Sequence, residues 1–248
     1  INCVYKAFKR YQFLTVSPLA LLTLSACGGG SGDSDSSGGS GSSAQTITGN
    51  IVKGPLSNAL VFLDYNGNGT MDGSETSVRT DANGAFSLSA TGSNYTIVAI
   101  TDETTVDTSS GAILDGITLK APSGASVVTP TTTLMEEGDL TAAQVAEVLN
   151  LPDDVDPLTF NPFAAGVDAA DALAVEKVSQ QIMTAVSSFA SAAEGAGASE
   201  ADAFTAALGS VIEVVKVKAE NLSDETASVA DKTLDFSNAS DLNLIKAK

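Results

Sequence analysis

The chain has 248 residues with 12 basic and 30 acidic side chains, a formal net charge of −18. That balance argues against nucleic acid, whose binding rests on Lys and Arg neutralising phosphates, and against electrostatic attraction to anionic lipid; it suits a cation-binding or highly solvated surface. The chain has no His, which excludes the usual catalytic triads and most zinc sites.

The first element is a leader. Lys6, Lys9 and Arg10 precede a mostly apolar run from Phe13 to Ala26, the basic n-region and apolar h-region of a secretory signal. The run is shorter than the ~20 apolar residues that span a bilayer, and it holds Pro18. It ends on Leu24-Ser25-Ala26-Cys27, followed by Gly28-Gly29-Gly30. This resembles a bacterial lipobox. The resemblance implies that residues 1–27 are a lipoprotein signal, that Cys27 carries several acyl chains, and that the membrane is reached through that cysteine. Stable anchoring takes at least two hydrophobic signals, which several chains satisfy. Gly28 stands where a retention signal would need Asp. In a Gram-negative cell the resemblance therefore implies the outer membrane, facing the periplasm or the exterior. The three basic residues of the leader leave 9 basic and 30 acidic residues in the mature part, a net −21. The two cysteines, Cys3 and Cys27, lie in or at the end of the leader. The mature fold thus has no disulfide, and stapling must come from core or metal.

Residues 28–45 are almost all Gly, Ser and Asp. Such a composition buries too little apolar surface to offset ordering entropy and predicts a flexible tether spanning ~20–25 Å.

From Thr46 to about residue 121 the pattern predicts a β-sandwich of six to seven short strands. Ile47 to Val52 alternates, Lys53 to Asn58 reads as a turn, and Ala59 to Leu63 is an apolar strand. Ser77 to Thr80, Ala85 to Leu88 and Tyr95 to Ile100 follow, with Ile113-Leu114 and Ile117 to Leu119 as later strands. Asn83-Gly84 between two alternating runs is a hairpin signal.

Between the second and third of these strands lies the one chemical motif, Asp64-Tyr65-Asn66-Gly67-Asn68-Gly69-Thr70-Met71-Asp72-Gly73-Ser74-Glu75. Asp64, Asn66 and Asn68 fall at positions 1, 3 and 5, Gly69 at 6, Asp72 at 9 and Glu75 at 12, the spacing of an EF-hand-type calcium loop. Calcium takes six to eight oxygens at about 2.3–2.6 Å. Alternate side chains of a tight turn point inward, Gly69 allows the bend, Thr70 offers its carbonyl and Glu75 closes the shell. The flanks predict strands, so the loop joins two strands and is not framed by helices.

Gly54 to Gly69, then Asp72 and Glu75, then Thr80-Asp81-Ala82-Asn83-Gly84-Ala85-Phe86 resemble the calcium-binding B-type modules of serine-aspartate-repeat surface adhesins. They are also similar to the wider carboxypeptidase-regulatory, transthyretin-like β-sandwich group. The resemblance covers about residues 46–100. It implies a structural or adhesive role, with calcium rigidifying the sandwich through Asp64, Asn66, Asn68, Asp72 and Glu75. Asp81 sits in the family's second turn. Family modules occur in tandem, whereas this chain carries one copy.

Residues 122–248 are expected to form a helical domain. Val127 to Leu134 resembles the junction that follows such modules in secreted bacterial proteins. Thr141-Ala142-Ala143-Gln144 is a capping box opening a helix through Leu149, and Pro152, Pro157 and Pro162 punctuate a loop. Asp153-Asp154-Val155-Asp156 reads as a solvated acidic loop or a weak cation site. Val175, Val178, Ile182, Val186 and Phe189 recur at helical spacing, and Glu194 to Gly197 ends that helix. Ser199 caps the next, with Phe204, Leu208, Val211, Ile212 and Val215 on one face. The two predict an antiparallel pair. The residues from about 224 onward predict no definite element. The chain opens on Ile1 and stops on Lys246-Ala247-Lys248, so a fragment truncated at one or both ends, the C-terminus included, is expected.

The expected function is a non-enzymatic surface lipoprotein with a calcium-stabilised sandwich, serving adhesion or envelope structure, with a surface protein or polysaccharide as partner. The alternative is an accessory or binding subunit of an extracellular hydrolase or a ligand-uptake system. The chain has no nucleophile motif, and aromatic residues make up 5% of it. Both facts weigh against an enzyme or a sugar-binding face.

Overall fold

The computed structural model describes residues 44–248, with Ala201 described by its backbone alone. The leader, Cys27 and nearly all of the tether lie outside the described residues. The described residues form one compact unit, in which a β-rich region over residues 45–128 is followed by a mainly helical part.

The β-rich region holds nine strands among the described residues: β1 (Gln45–Ile51), β2 (Leu56–Ser57), β3 (Leu60–Asp64), β4 (Ser77–Arg79), β5 (Ala85–Ala90), β6 (Thr96–Ile100), β7 (Val106–Asp107), β8 (Thr118–Pro122) and β9 (Val127–Val128). The sequence predicts six to seven. The surplus is β2, β7 and β9, two residues each, too short to carry a hydrophobic period. Strand β2 pairs with β7, inside a segment expected to be only a turn. Ile113-Leu114, expected as a strand, contributes one bridge from Ile113 to Val106, and Ile113 is 66% exposed.

The remaining strands make two sheets, ordered β5-β1-β9 and β4-β3-β6-β8. All pairs are antiparallel except β1 with β9. One core cluster draws Ile47, Ile51, Phe86 and Leu88 from the first sheet and Val61, Leu63, Ile97 and Leu119 from the second. Phe62 and Val98 face each other across β3 and β6 on the opposite face and are also fully buried. Covering both faces explains why β3 reads as a continuous apolar run instead of an alternating one.

The Asn83-Gly84 turn corrects the hairpin expectation. The turn forms: Gly84 N–H donates to the Asp81 carbonyl at 3.0 Å, and Asp81 Oδ1 accepts from the N–H groups of Asn83 and Ala85. Yet the strands it joins do not pair. Strand β4 pairs with β3, and β5 pairs with β1. The chain crosses from one sheet to the other at this turn.

The helical part comprises α1 (Pro130–Gly138), α2 (Ala142–Val148), α3 (Ala169–Gly195), α4 (Glu200–Glu220), α5 (Val229–Lys232) and α6 (Ala239–Lys246), with a 3-10 turn at Asn221–Ser223. Thr141 and Ser199 cap α2 and α4 as expected, each accepting a backbone N–H three residues on. Helices α3 and α4 are joined by four residues and pack along each other, an antiparallel pair. Val175, Ile182 and Val186 of α3 meet Val211, Ile212 and Val215 of α4 in a second core cluster, with Val178, Phe189, Phe204 and Leu208 at its margin. No helix among the described residues is long and apolar enough to cross a membrane.

Helix α1 joins the two parts by an unusual use of threonine. Strand β8 is the edge of its sheet, and Lys120 lies opposite Val98 with both backbone groups turned outward. Thr133 Oγ1 accepts from Lys120 N–H at 2.9 Å, and Thr132 Oγ1 donates to Lys120 C=O at 2.8 Å. Two hydroxyls thus supply the bonds that another strand would make, and the edge is covered. Glu137 adds an ion pair with Lys120 Nζ at 2.5 Å. Leu158 packs against both core clusters.

The neighbouring Thr131 is different. It is 3% exposed, and its Oγ1 has no hydrogen-bond partner. A buried hydroxyl without a partner costs about 1–3 kcal/mol, and Val has the same branched shape. Thr131→Val is expected to stabilise the fold by about 1 kcal/mol, whereas Thr132→Val and Thr133→Val destabilise it by at least as much, because the first takes the acceptor from Thr129 N–H and the second takes it from Lys120 N–H. Urea melts of the three variants check the change of sign; a destabilised Thr131→Val refutes the assignment.

Candidate functional site

The 64–75 loop leaves the end of β3 and returns as β4, so strands frame it on both sides. Gly67 and Gly69 have φ of 73° and 70°, the left-handed region that glycine enters without steric cost. Two such residues in alternation coil the chain tightly around one side chain, Asp64.

Asp64 is buried, 3% exposed. Its Oδ1 accepts from Gly67 N–H at 2.7 Å and from Asn66 N–H at 3.2 Å, and its Oδ2 accepts from Gly69 N–H at 2.7 Å. Charge-assisted bonds of this kind are the stronger class, and three of them justify burying the carboxylate. Glu75 closes the other end. Its Oε1 accepts from Tyr65 N–H at 3.1 Å and its Oε2 from Asp72 N–H at 2.9 Å. Asp72 gathers the middle: its Oδ2 accepts from Asn66 Nδ2 at 2.6 Å and Asn68 Nδ2 at 3.0 Å. Asn66 Oδ1 and Asn68 Oδ1 in turn accept from the N–H groups of Asn68 and Thr70. Thr70 is exposed.

The structure therefore brings Asn66, Asn68 and Asp72 together, while Asp64 and Glu75 stitch the two ends of the loop to its backbone. The donor set suits a hard cation by type: carboxylate, amide and carbonyl oxygens. The arrangement is that of a loop closed by its own hydrogen bonds. No group of three or more His, Cys, Asp or Glu is gathered as a metal site among the described residues. The amide nitrogens of Asn66 and Asn68 point at Asp72, so an ion held there requires both amides to turn their oxygens inward.

One neighbour was not legible from the sequence. A cavity of about 370 Å³ beside the loop is lined by Asp64, Asn66, Tyr95, Thr96, Ser123 and Glu136. Glu136 comes from α1 and meets Thr96 Oγ1 at 2.5 Å. Burial pushes the Tyr95 phenol up, and its ring meets Tyr65 edge to face with centroids 6.0 Å apart. Glu136 belongs to no loop spacing, and only the docking of α1 against the sheet brings it here. Asp81, in the second turn, holds its own turn by the bonds described above.

The side chains of the acidic 153–156 segment do not gather as a cation site either: Asp156 caps the turn that follows, accepting from Leu158 N–H at 3.0 Å. No protein-family model matches this chain, and no curated protein or solved structure matches it.

Proposed function

We propose that this chain is a non-enzymatic lipoprotein of the cell envelope, anchored in the outer membrane through Cys27. On this reading its β-rich region is a sandwich stabilised by Ca²⁺ at Asp64, Asn66, Asn68, Thr70, Asp72 and Glu75. Its role is adhesive or surface-structural, with a surface protein or polysaccharide as partner. The sandwich reading is supported by two sheets that contribute to one core cluster. The observation that carries the calcium reading is the convergence of Asn66 and Asn68 on the Asp72 carboxylate, in a loop with oxygen donors at every position the ion needs. Calcium would displace the two amide donors and take the oxygens in their place.

The test is thermal unfolding with calcium and with chelator. A ligand that binds only the folded state adds about 2.7 kcal/mol at 100 times its dissociation constant, or roughly 5–10 °C for a chain of this size. Asp64 and Glu75 hold the loop whether or not an ion is present, so replacing them cannot isolate the metal. Asp72→Asn removes one charge and keeps the shape. Its melting in chelator is expected to stay close to that of the parent, and its calcium increment to disappear. An unchanged melting temperature of the parent across calcium and chelator refutes the calcium reading.

The second reading, a ligand-binding subunit, is favoured by one observation. A cavity of about 390 Å³ runs along α3, floored by Phe189, Phe236 and Leu242 and rimmed by Lys177, Gln180 and Gln181. Its size lies in the range of small-molecule sites.

A further inference from the structure

Asn66-Gly67 and Asn68-Gly69 stand in tandem in the loop, and both asparagines are exposed to water. Asn-Gly is the dipeptide most prone to spontaneous deamidation, because nothing on glycine hinders its backbone nitrogen from reaching the preceding side chain. The Gly67 nitrogen attacks Cγ of Asn66. The new N–C bond closes a five-membered imide, the Cγ–Nδ2 bond breaks, and ammonia leaves with the proton from the glycine nitrogen. Water then opens the imide at either carbonyl, giving aspartate or isoaspartate. Water is the only co-reactant.

The structure opposes this chemistry at both reacting groups. The nucleophiles are tied: Gly67 N–H donates to Asp64 Oδ1 and Gly69 N–H to Asp64 Oδ2, each at 2.7 Å. The leaving groups are tied as well, since Nδ2 of Asn66 and of Asn68 both donate to Asp72 Oδ2, at 2.6 and 3.0 Å. The side-chain carbonyl oxygens of Asn66 and Asn68 accept from the N–H groups two residues on, those of Asn68 and Thr70. A side chain fixed at both amide atoms cannot swing its carbon onto the glycine nitrogen.

We propose that the Asp64 and Asp72 carboxylates lock Asn66 and Asn68 against deamidation, making the two asparagines a latent modification site that opens when the lock is lost. The lock is that of the calcium-free loop, in which both amide nitrogens face Asp72. Its failure would place new carboxylates at the third and fifth loop positions, or, through isoaspartate, lengthen the loop backbone.

A built-in control exists. Gly84, after Asn83, donates its N–H to a backbone carbonyl, that of Asp81, and needs neither carboxylate. The folded chain is incubated in mildly alkaline buffer beside the same chain in concentrated urea, and peptide mass spectrometry follows the gain of one mass unit at each asparagine. Asn66 and Asn68 are expected to react at least about tenfold more slowly in the folded chain. Asp64→Ala brings both close to the unfolded rate, Asp72→Ala accelerates them less, and Asn83 stays slow in both variants. Equal rates in folded and unfolded parent chain overturn the proposal, as do slow rates at Asn66 and Asn68 in Asp64→Ala. Should Asp64→Ala unfold the chain, Asn83 accelerates too, and hydrogen exchange of the parent decides. Slow exchange at Gly67 and Gly69 N–H supports the lock; exchange at the unfolded rate overturns it.

Discussion

Lys218→Met is expected to cost about 3–5 kcal/mol, the usual result of stranding one partner of a buried ion pair. Lys218, near the end of α4, has a side chain only 4% exposed, and its Nζ lies 2.9 Å from Asp241 Oδ1 on α6. It also donates to the Ala230 carbonyl of α5 at 2.7 Å. Asp241 Oδ2 accepts from Asp235 N–H at 2.8 Å. One lysine thus ties both C-terminal helices to α4, and without it a carboxylate stays buried with no cation. Methionine keeps the length and apolar stem, so the loss reports charge and not volume. At roughly 2–4 °C per kcal/mol for a chain of this size, melting falls by about 10 °C. Adding Asp241→Leu removes the stranded charge and is expected to recover more than half the loss. The recovery stays incomplete, because the Ala230 carbonyl and Asp235 N–H remain without partners at about 1 kcal/mol each. Single variants that melt with the parent would show that the pair contributes nothing. A double variant no better than the singles would show that the lost hydrogen bonds, not the charge, carry the effect.

This pair also marks where the sequence stops being informative. Helices α3 and α4 were legible because their cues are local: Ser199 before an acidic first turn, and Val211 and Val215 one turn apart. The calcium-type spacing was legible for the same reason, since all its residues lie within one turn-rich segment. What the oxygens do was not. Asp64 and Glu75 look like metal ligands in spacing, yet each is engaged by backbone N–H groups. Spacing fixes which side chains can converge; it does not fix whether an ion or an amide answers them. Helices α5 and α6 carry caps at Ser228 and Asn238, but with four and eight residues they are too short to show a clear period, and the lysine that holds both lies on another helix. Strands β2, β7 and β9 are held by partners distant in sequence, and two residues cannot display a period. The crossing at Asn83-Gly84 belongs with these. Turn chemistry is local and legible, but the choice of partner strand is made by the core.

That crossing gives the second large effect. Gly84→Ala is expected to cost about 2–5 kcal/mol, from two separate sources. Gly84 is buried with φ of 73°, and a side chain in left-handed backbone costs roughly 1–2 kcal/mol. An added Cβ would also stand 2.6 Å from the Ile51 carbonyl oxygen and 3.1 Å from Leu56 N. Both are backbone atoms, and Ile51 is bound back to Gly84, its N–H donating to the Gly84 carbonyl at 2.8 Å. Neither can move without breaking the β1–β5 register that begins one residue later, at Asn50 and Ala85. Overpacking of this kind adds about 1–3 kcal/mol. Gly124→Ala separates the two sources, because Gly124 has φ of 89° and nothing within 4 Å of its added Cβ. It carries the conformational cost alone. Urea melts of the pair then measure the steric cost as a difference. Equal losses would mean that β1 yields at Ile51 and the crossing is softer than its contacts imply. A much larger loss at Gly84 would establish that the passage between sheets depends on glycine's missing side chain, which explains why a turn with hairpin chemistry serves here without a hairpin.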